Sequence, residues 1–549
     1  MNKNKYLFLF SISPVQSFIS QARKTKDLYA GSKLLSHLCK SAIEEFENNG
    51  GKILFPQKYD SISVSNTFLG EIKIKQDKLD TKGKEIEEQI NEKLNDLGNS
   101  ISEHIKSELE QLANTALQAK FSDIAKKQLE SLFEVFWIFY PEGEDYKKAY
   151  IEITRHHNAI KNIRKFSQLE EDGKRKCSIC GERNALFYRG KKKSFLIDCA
   201  LNVSEVADDE ALCAVCYLKR ILDKSKIPNI EKGFSSLAKI TLLDWLDGID
   251  YDKLKKIDGF DEEWFLEDKK RKEVIDFINK NNLDIKKQKK YYALMRLDID
   301  DFGKWLSGAK SSTNDLKEFQ KKLSETLADF SQDVKDVLEK NGKAVYAGGD
   351  DFLGFVNLNY LFDVLKDIKN KYKSKFENSD FKELTYSISL VIAHYKTPLH
   401  KVLEYSKNLL EETKEFFHDK NGMGIMVMNT SSVTEKTICK YDDFVLLKDM
   451  LEKKMGYNLF FKLGKEFPFL NDVYTYDEFL QNKKMLITET KRLLKRESNY
   501  DKNISERLIQ FIEKQNIEYG TNANGIDFEN IIGFLKTLEQ LRKVIKWDI

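Results

Sequence analysis

Between residues 291 and 428, short apolar runs alternate with amphipathic helical stretches, and that order leaves few folds open. The run 291–297 precedes a turn-rich stretch and a helical pattern over 315–338. Runs at 344–346 and 352–356 flank Gly348-Gly349, and a second helical pattern covers 361–376. The run 384–393, a helix over 399–417 and a last run at 423–428 close the unit. Strand, helix, strand, strand, helix, strand, with one extra helix, is the ferredoxin-like plan, an α+β fold.

Two acidic sets sit where this plan brings strand ends together. Asp298-Ile299-Asp300 ends the first strand, and Gly348-Gly349-Asp350-Asp351 reads as a hairpin turn whose glycines supply φ > 0. The first strand lies beside the hairpin, so the carboxylates meet. Clustered acids repel one another unless a cation neutralises them. Hard divalent metals, Mg²⁺ or Mn²⁺, prefer such an oxygen-only set shared with substrate phosphates. The candidate metal set is Asp298, Ile299, Asp300, Asp350 and Asp351, with Asp298, Asp350 and Asp351 as catalytic residues. Two metals held this way activate an attacking hydroxyl and stabilise a leaving pyrophosphate, and Gly348 and Gly349 let a triphosphate approach the backbone. Either set alone reads as an ordinary turn; both at matching places in one unit favour the metal reading.

The chain begins with a second α+β pattern. An apolar run at 7–12 ends at Ser13-Pro14, and a helical pattern follows over 15–38. Gly31-Ser32 interrupts it, with Ser32 as the N-cap of a second helix. Residues 72–130 are charged with helical period, and 133–140 (FEVFWIFY) is strand-like up to Pro141. From 431 onward helix follows helix, with no strong strand and no chemical motif.

Cys177, Cys180, Cys213 and Cys216 are spaced C-x2-C-x32-C-x2-C, two close thiolate pairs suited to tetrahedral Zn²⁺ in a closed structural site. Seven cysteines, four of them in these pairs, make a metal pattern rather than a disulfide framework. Cys39, Cys199 and Cys439 read as core residues. The apolar run near the start is too short to span a membrane, so the chain reads as cytoplasmic. Lys and Arg total 91 against 88 Asp and Glu, which excludes a global basic field for nucleic acid. Lys191-Lys192-Lys193 and Lys287, Lys289 and Lys290 read as solvated charge.

The upstream DxD with GGDD resembles the nucleotide cyclase–polymerase superfamily that includes diguanylate cyclases. The stretch EETKEFFHDKNGMGIMV is similar to the late helix of those cyclases, where a lysine meets phosphate. That resemblance assigns the role to Lys414, with Lys420-Asn421 in place of the usual Gly-Arg-Asn. Further motifs occur in order: SISPVQSFISQARKTKDLYAGSKLLSHL, SNTFLG, FEVFWIFYPEG with KNIRKF, KCSICG, and LCAVCYLKR. Together they resemble the large signature subunit of Cmr-type (type III-B) CRISPR effector complexes over about residues 6–430.

The resemblance implies a first palm-like domain over 1–165, a zinc-binding domain over 166–285, a second palm with GGDD over 286–430 and a helical domain over 431–549. It implies that the segment carrying Gln21, Arg23, Lys24, Lys26, Gly31 and Ser32 faces a nucleotide cleft. Gly31 and Ser32, at a helix N-terminus, then join Gly348, Gly349 and Lys414 as nucleotide-binding candidates. The HD nuclease domain that the family often carries is expected to be absent, because the palm motif begins so early. His418-Asp419 reads as a solvated helix end, and His156-His157 as structural.

The function so implied is that of a subunit assembled with other Cmr-type effector subunits, a guide CRISPR RNA and target RNA in antiviral defence. Target binding switches on nucleotidyl transfer: a 3′-hydroxyl of one ATP attacks the α-phosphate of another, releasing pyrophosphate, and the product is cyclic oligoadenylate. A second reading joins ATP to S-adenosylmethionine, giving SAM-AMP. A third is a non-catalytic scaffold, against which the clustered Asp298, Asp350 and Asp351 argue. A diguanylate cyclase is disfavoured by two palms and a cysteine module in one chain.

Overall fold

In the computed structural model the described residues are 4–59, 64–109, 115–163, 171, 175–189, 200–201, 205–224, 234–246, 263–267, 271–281, 290–311, 313–428, 434–456, 459, 462–463, 476–514 and 528–545. They form two units. One comprises residues 1–235, 301–332 and 345–349, the other 236–300, 333–344 and 350–549.

The first unit opens with β1 (Asn4–Ser13), the short α1 (Gln16–Ser20), α2 (Thr25–Asn48), β2 (Lys52–Phe55) and β3 (Thr67–Ile74). It continues with α3 (Leu79–Leu109), α4 (Thr115–Glu130), β4 (Glu134–Pro141) and α5 (Tyr146–Asn162). The sheet order is β2-β3-β1-β4, and β1 is antiparallel to both neighbours. This is the ferredoxin-like order. Side chains alternate across a strand, so the run Leu7-Phe8-Leu9-Phe10 supplies both faces. Phe8 stacks on Phe46 of α2 at 4.8 Å and Phe10 on Phe68 at 4.8 Å. Leu7 and Leu9 pack instead with Leu69, Ala149 and Ile153, the last two on α5. On β1, Ser11 Oγ meets Nε2 of the buried His157 at 3.1 Å, so that histidine is structural as expected.

Three short strands follow, β5 (Phe187–Tyr188), β6 (Ala200–Leu201) and β7 (Ala211–Leu212), in the order β6-β5-β7. After β7 comes α6 (Ala214–Ile221), buried along its whole length. Lys191, Lys192, Lys193, Cys199, Lys287 and Lys289 lie outside the described residues.

The second sheet is built from β8 (Tyr291–Ile299), α7 (Leu316–Asn341), β9 (Gly342–Gly348), β10 (Asp351–Asn357), α8 (Leu361–Phe376) and β11 (Tyr386–His394). Then come α9 (Leu399–Phe416), β12 (Met423–Met428) and β13 (Thr434–Cys439), and the order is β13-β12-β11-β8-β10-β9. Its inner part, β11-β8-β10-β9, repeats the ferredoxin-like order of the first sheet. The extra helix α9 returns the chain so that β12 runs parallel to β11. β8 is central, which is why its run is apolar without alternation.

β13 departs from the all-helical reading of the C-terminal stretch. It pairs antiparallel with β12 along its length. Its other support is remote: Asn530 accepts from the Thr437 hydroxyl at 2.9 Å and the Ile438 amide at 2.8 Å. Asn530 lies on the last of four helices, α10 (Tyr441–Glu452), α11 (Tyr476–Leu494), α12 (Lys502–Lys514) and α13 (Phe528–Ile545). Among the described residues, no helix is long and apolar enough to cross a membrane.

Candidate functional site

The topology brings the acidic residues to neighbouring strand ends, although among the described residues only the cysteines below share a common ligand distance. Asp298, next to last in β8, lies opposite Asp351 on β10 and opposite Ser387 on β11. The Ile299 amide donates to the Asp350 carbonyl at 2.9 Å, which fixes the hairpin against the strand end. Between β9 and β10 only Gly349 and Asp350 remain, and of that pair only Gly349 has positive φ, +65°. A two-residue hairpin with φ > 0 at its first central position is of the II′ kind, where glycine is required. A Cβ at Gly349 would meet nothing within 4 Å, so its backbone angle and not packing selects glycine there.

Burial pushes the Asp298 carboxyl above the ordinary carboxylate range, while Lys414 on α9 pulls it back through an ion pair. Asp350 is pushed up to about 7, first by burial and then by the charges of Asp298 and Asp351. Clustering of the acids thus opposes ionisation of Asp350. The trio's donors are all carboxylate oxygen, the set that suits Mg²⁺ or Mn²⁺. Lys414, expected at a phosphate, is here the counter-charge of Asp298.

Two members of the expected metal set stand differently. The Ile299 side chain is core, 1% exposed, so that residue offers only a main-chain carbonyl. Asp300 is 2% exposed and turned inward. Its Oδ1 accepts from Ser387 Oγ at 2.8 Å, and its Oδ2 from Thr385 Oγ1 and the Asn421 amide, both at 2.9 Å. Both oxygens are committed to protein donors, so Asp300 is not arranged as a ligand.

The cysteines assemble as the spacing predicts. Sγ atoms of Cys177, Cys180, Cys213 and Cys216 all lie within 4.8 Å of one another, the one such group of His, Cys, Asp or Glu ligands among the described residues. Cys180 and Cys213 are 3.8 Å apart. Backbone amides of Ile179 and Cys216 point at the sulfurs of Cys177 and Cys213 at 3.5 and 3.4 Å, and such donors favour thiolate. Four soft ligands in a closed set fit structural Zn²⁺.

The segment around Gly31 and Ser32 requires a correction. α2 runs unbroken from Thr25 to Asn48, so Ser32 lies inside the helix, 4% exposed, and caps nothing. The true break is at Gln21–Lys24, where Asp27 accepts from the Arg23 and Lys24 amides at 3.3 and 3.0 Å. No helix N-terminus is available at Ser32 for a phosphate. Gly31 answers to packing, because a Cβ there would come 3.3 Å from Cδ of Lys219 on α6.

The basic residues of this corner are tied to the cysteine module. Gln21 donates to Glu182 at 2.7 Å, Lys26 pairs with Glu205 at 2.8 Å and Arg23 with Glu210 at 3.5 Å. Lys219, 1% exposed, donates to the Phe18 carbonyl at 2.8 Å and to that of Gln21. Arg220 is fully buried between Asp27 and Glu210. Sequence reading missed Lys219 and Arg220; their one signal was two cations inside an apolar helix that starts at a cysteine of the quartet. His418 is exposed, and Asp419 pairs with Lys440 at 2.6 Å, consistent with a solvated helix end.

Comparison with known proteins agrees with this architecture. Residues 7–134 match the family model "CRISPR-associated protein Cmr2, N-terminal", and residues 291–424 match "Cas10/Cmr2, second palm domain". The CRISPR system Cmr subunit Cmr2 of Pyrococcus furiosus is 24% identical, with 98% of this chain aligned to 74% of that protein. A chain of the type III-B Cmr-beta complex in its apo state superposes with TM-score 0.66 at 15% identity, covering 98% of this chain and 82% of the other. The same complex bound to cognate target RNA gives TM-score 0.66 at 14% identity, over 98% and 83%. With both sheets in the ferredoxin-like order and both family models matched in sequence order, the chain carries Cas10/Cmr2-family domains, and these findings support a type III-B Cmr2 large subunit.

Proposed function

We propose that this chain is the nucleotide-synthesising subunit of an RNA-guided effector complex, and that target RNA paired with guide RNA switches on nucleotidyl transfer from ATP. One observation carries the reading: Asp298 and Asp351 face each other across adjacent strands, with Asp350 at the hairpin tip and Lys414 at Asp298. A scaffold has no need of this arrangement, since packing carboxylates together costs stability. Asp298, Asp350 and Asp351 would hold Mg²⁺ or Mn²⁺, which when bound supplies charge neutralisation and an activated hydroxyl. Lys414, now paired with Asp298, would exchange that carboxylate for a phosphate oxygen. The bare tip at Gly349 leaves the hairpin backbone open to a triphosphate.

Other parts of the proposal rest on kinship. The partners are other Cmr-type subunits, guide RNA and target RNA, in the cytoplasm, and the four-part division drawn from the sequence describes the chain. Zn²⁺ is the ion for the cysteine quartet. Cyclic oligoadenylate is the proposed product; transfer to S-adenosylmethionine is the alternative that the same site chemistry allows, because both acceptors present an adenosine hydroxyl.

The test uses the assembled complex with labelled ATP and target RNA, with and without S-adenosylmethionine. Product from ATP alone supports the cyclic oligomer, and product only with S-adenosylmethionine supports the conjugate. Asp350→Ala with Asp351→Ala should abolish either product while leaving assembly and RNA binding intact. Full synthesis by that double variant removes these residues from the site, and no synthesis by the native complex leaves the scaffold.

A further inference from the structure

We infer that Asp300 is a positioning residue: it ties the turn after α9 to the end of β8 and thereby holds Lys414 at Asp298. The inference rests on the nucleotidyl-transfer reading of that site.

The tether has three donors and one acceptor group. The Thr385 and Ser387 hydroxyls come from the start of β11, and the Asn421 amide comes from the turn between α9 and β12. The Asp300 amide in turn donates to the Thr385 carbonyl at 2.8 Å, so backbone and side chain are fixed together. Two segments converge on one buried carboxylate at the end of β8, and no other side chain of this size accepts three donors without presenting one itself.

The turn needs such a hold. Lys420 and Asn421 are consecutive non-glycine residues with φ of +56° and +49°, a left-handed pair that L-residues adopt only when the surroundings enforce it. A charge-assisted bond from the Asn421 amide to the carboxylate fixes this conformation, and the Lys440 ammonium holds the Lys420 carbonyl at 2.7 Å. Ser387 Oγ also accepts from the Gly422 amide at 3.4 Å, and the Ile388 amide donates to the Gly422 carbonyl at 2.9 Å, carrying the hold into the β11–β12 ladder.

Position then passes from the turn to Lys414. Thr413 packs so tightly on β12 that a Cβ at Gly424 would lie 2.3 Å from its Oγ1. The start of β12 and the last turn of α9 therefore move as one body. Lys414 is the next residue along, and its ammonium reaches Asp298 from there. Release of Asn421 lets this body shift, and Lys414 loses its aim at Asp298 and at a phosphate bound beside it. Asp300 thus acts through Lys414, although it stands two residues from a candidate metal ligand.

The experiment separates this role from metal ligation. In the assembled complex, Asp300→Ala and Asp300→Asn are compared with Asp351→Ala by hydrogen exchange of the 417–424 segment, by affinity for a non-hydrolysable ATP analogue, and by the apparent Mn²⁺ constant. For Asp300→Ala, exchange in the segment and the dissociation constant for the analogue should each rise about tenfold, with the Mn²⁺ constant held within about twofold. Asp300→Asn should retain much of the affinity, because its carbonyl still accepts from Asn421 while its amide group faces a hydroxyl that can turn to accept. It also serves if the alanine variant does not fold. A rise in the Mn²⁺ constant as large as that of Asp351→Ala, or unchanged exchange in 417–424, would overturn the inference. Failure of the native complex to make any nucleotide would instead sink the proposed activity, while exchange and analogue binding still judge the tether.

Discussion

Arg220 and Asp27 form a two-pronged ion pair with no exposed surface on either side chain, Nε to Oδ1 at 2.6 Å and the second nitrogen to Oδ2 at 2.9 Å. Glu210 completes the shell at 3.0 and 3.2 Å. The pair joins α6, which starts at Cys213 of the cysteine quartet, to the first turn of α2. Arg220→Ala leaves two buried carboxylates without their cation, and such losses cost about 3–5 kcal/mol. Urea unfolding should show that drop, and Arg220→Ala combined with Asp27→Ala should recover part of it. A drop below about 1 kcal/mol for the single variant would mean that water or Arg23 takes over the role.

The same connection predicts how loss of the cysteine centre spreads. Cys213→Ser or Cys180→Ser should abolish stoichiometric zinc by elemental analysis, because a closed four-ligand site loses most of its affinity with one thiolate. The loosened α6 should then release Lys219 and Arg220, and with them the α1–α2 corner. Limited trypsin digestion reads this directly, since Arg23, Lys24 and Lys26 lie in that corner. Faster cleavage there in the cysteine variants is expected. Zinc loss without faster cleavage would show that the corner stands unaided.

What could be read from sequence divides by contact range. The second palm was legible because each strand is its own apolar run and the acids punctuate two of them. The cysteine quartet was legible because each pair is local. The α1–α2 corner was not: Gly31 looked like a break, but it makes room for a lysine stem from residue 219. The partners Glu182, Glu205 and Glu210 lie more than 150 residues further along the chain, beyond any local pattern. β13 escaped notice because Thr434–Cys439 is mostly polar and its burial is supplied by Asn530 and α13. Asp300 looked like its neighbour Asp298, and only the placement of Thr385, Ser387 and Asn421 separates their roles.

Gly349 offers a test of the hairpin in which backbone angle is the only variable. Gly349→Ala should lower stability by about 1–2 kcal/mol, the cost of a Cβ at positive φ, although nothing crowds the new methyl group. Gly303 is equally open but has no positive φ, so Gly303→Ala should be neutral or stabilising by up to about 1 kcal/mol. Thermal unfolding of the two variants side by side checks the order. Equal effects would show that the hairpin adopts another turn in solution.

The acidic site should respond to pH with a definite sign. Asp350 is raised from 3.8 to about 7 in the folded chain by burial and by the Asp298 and Asp351 charges. Between those two values the folded state holds a proton that the unfolded state has released. The metal-free protein therefore loses stability from this group as pH rises from about 4 to about 7, and the loss levels off above that. Metal binding runs the other way, because a ligand carboxylate must be deprotonated. Mn²⁺ affinity should climb with pH up to about 7 and flatten beyond, with close to one proton released per site when binding is measured near pH 6. Calorimetry in two buffers of different ionisation enthalpy reads the proton count. Asp350→Asn should bind Mn²⁺ more weakly and remove most of the pH dependence. An Mn²⁺ affinity independent of pH from 5 to 8, at roughly the precision of one such titration, would show that Asp350 is already ionised in the metal-free site.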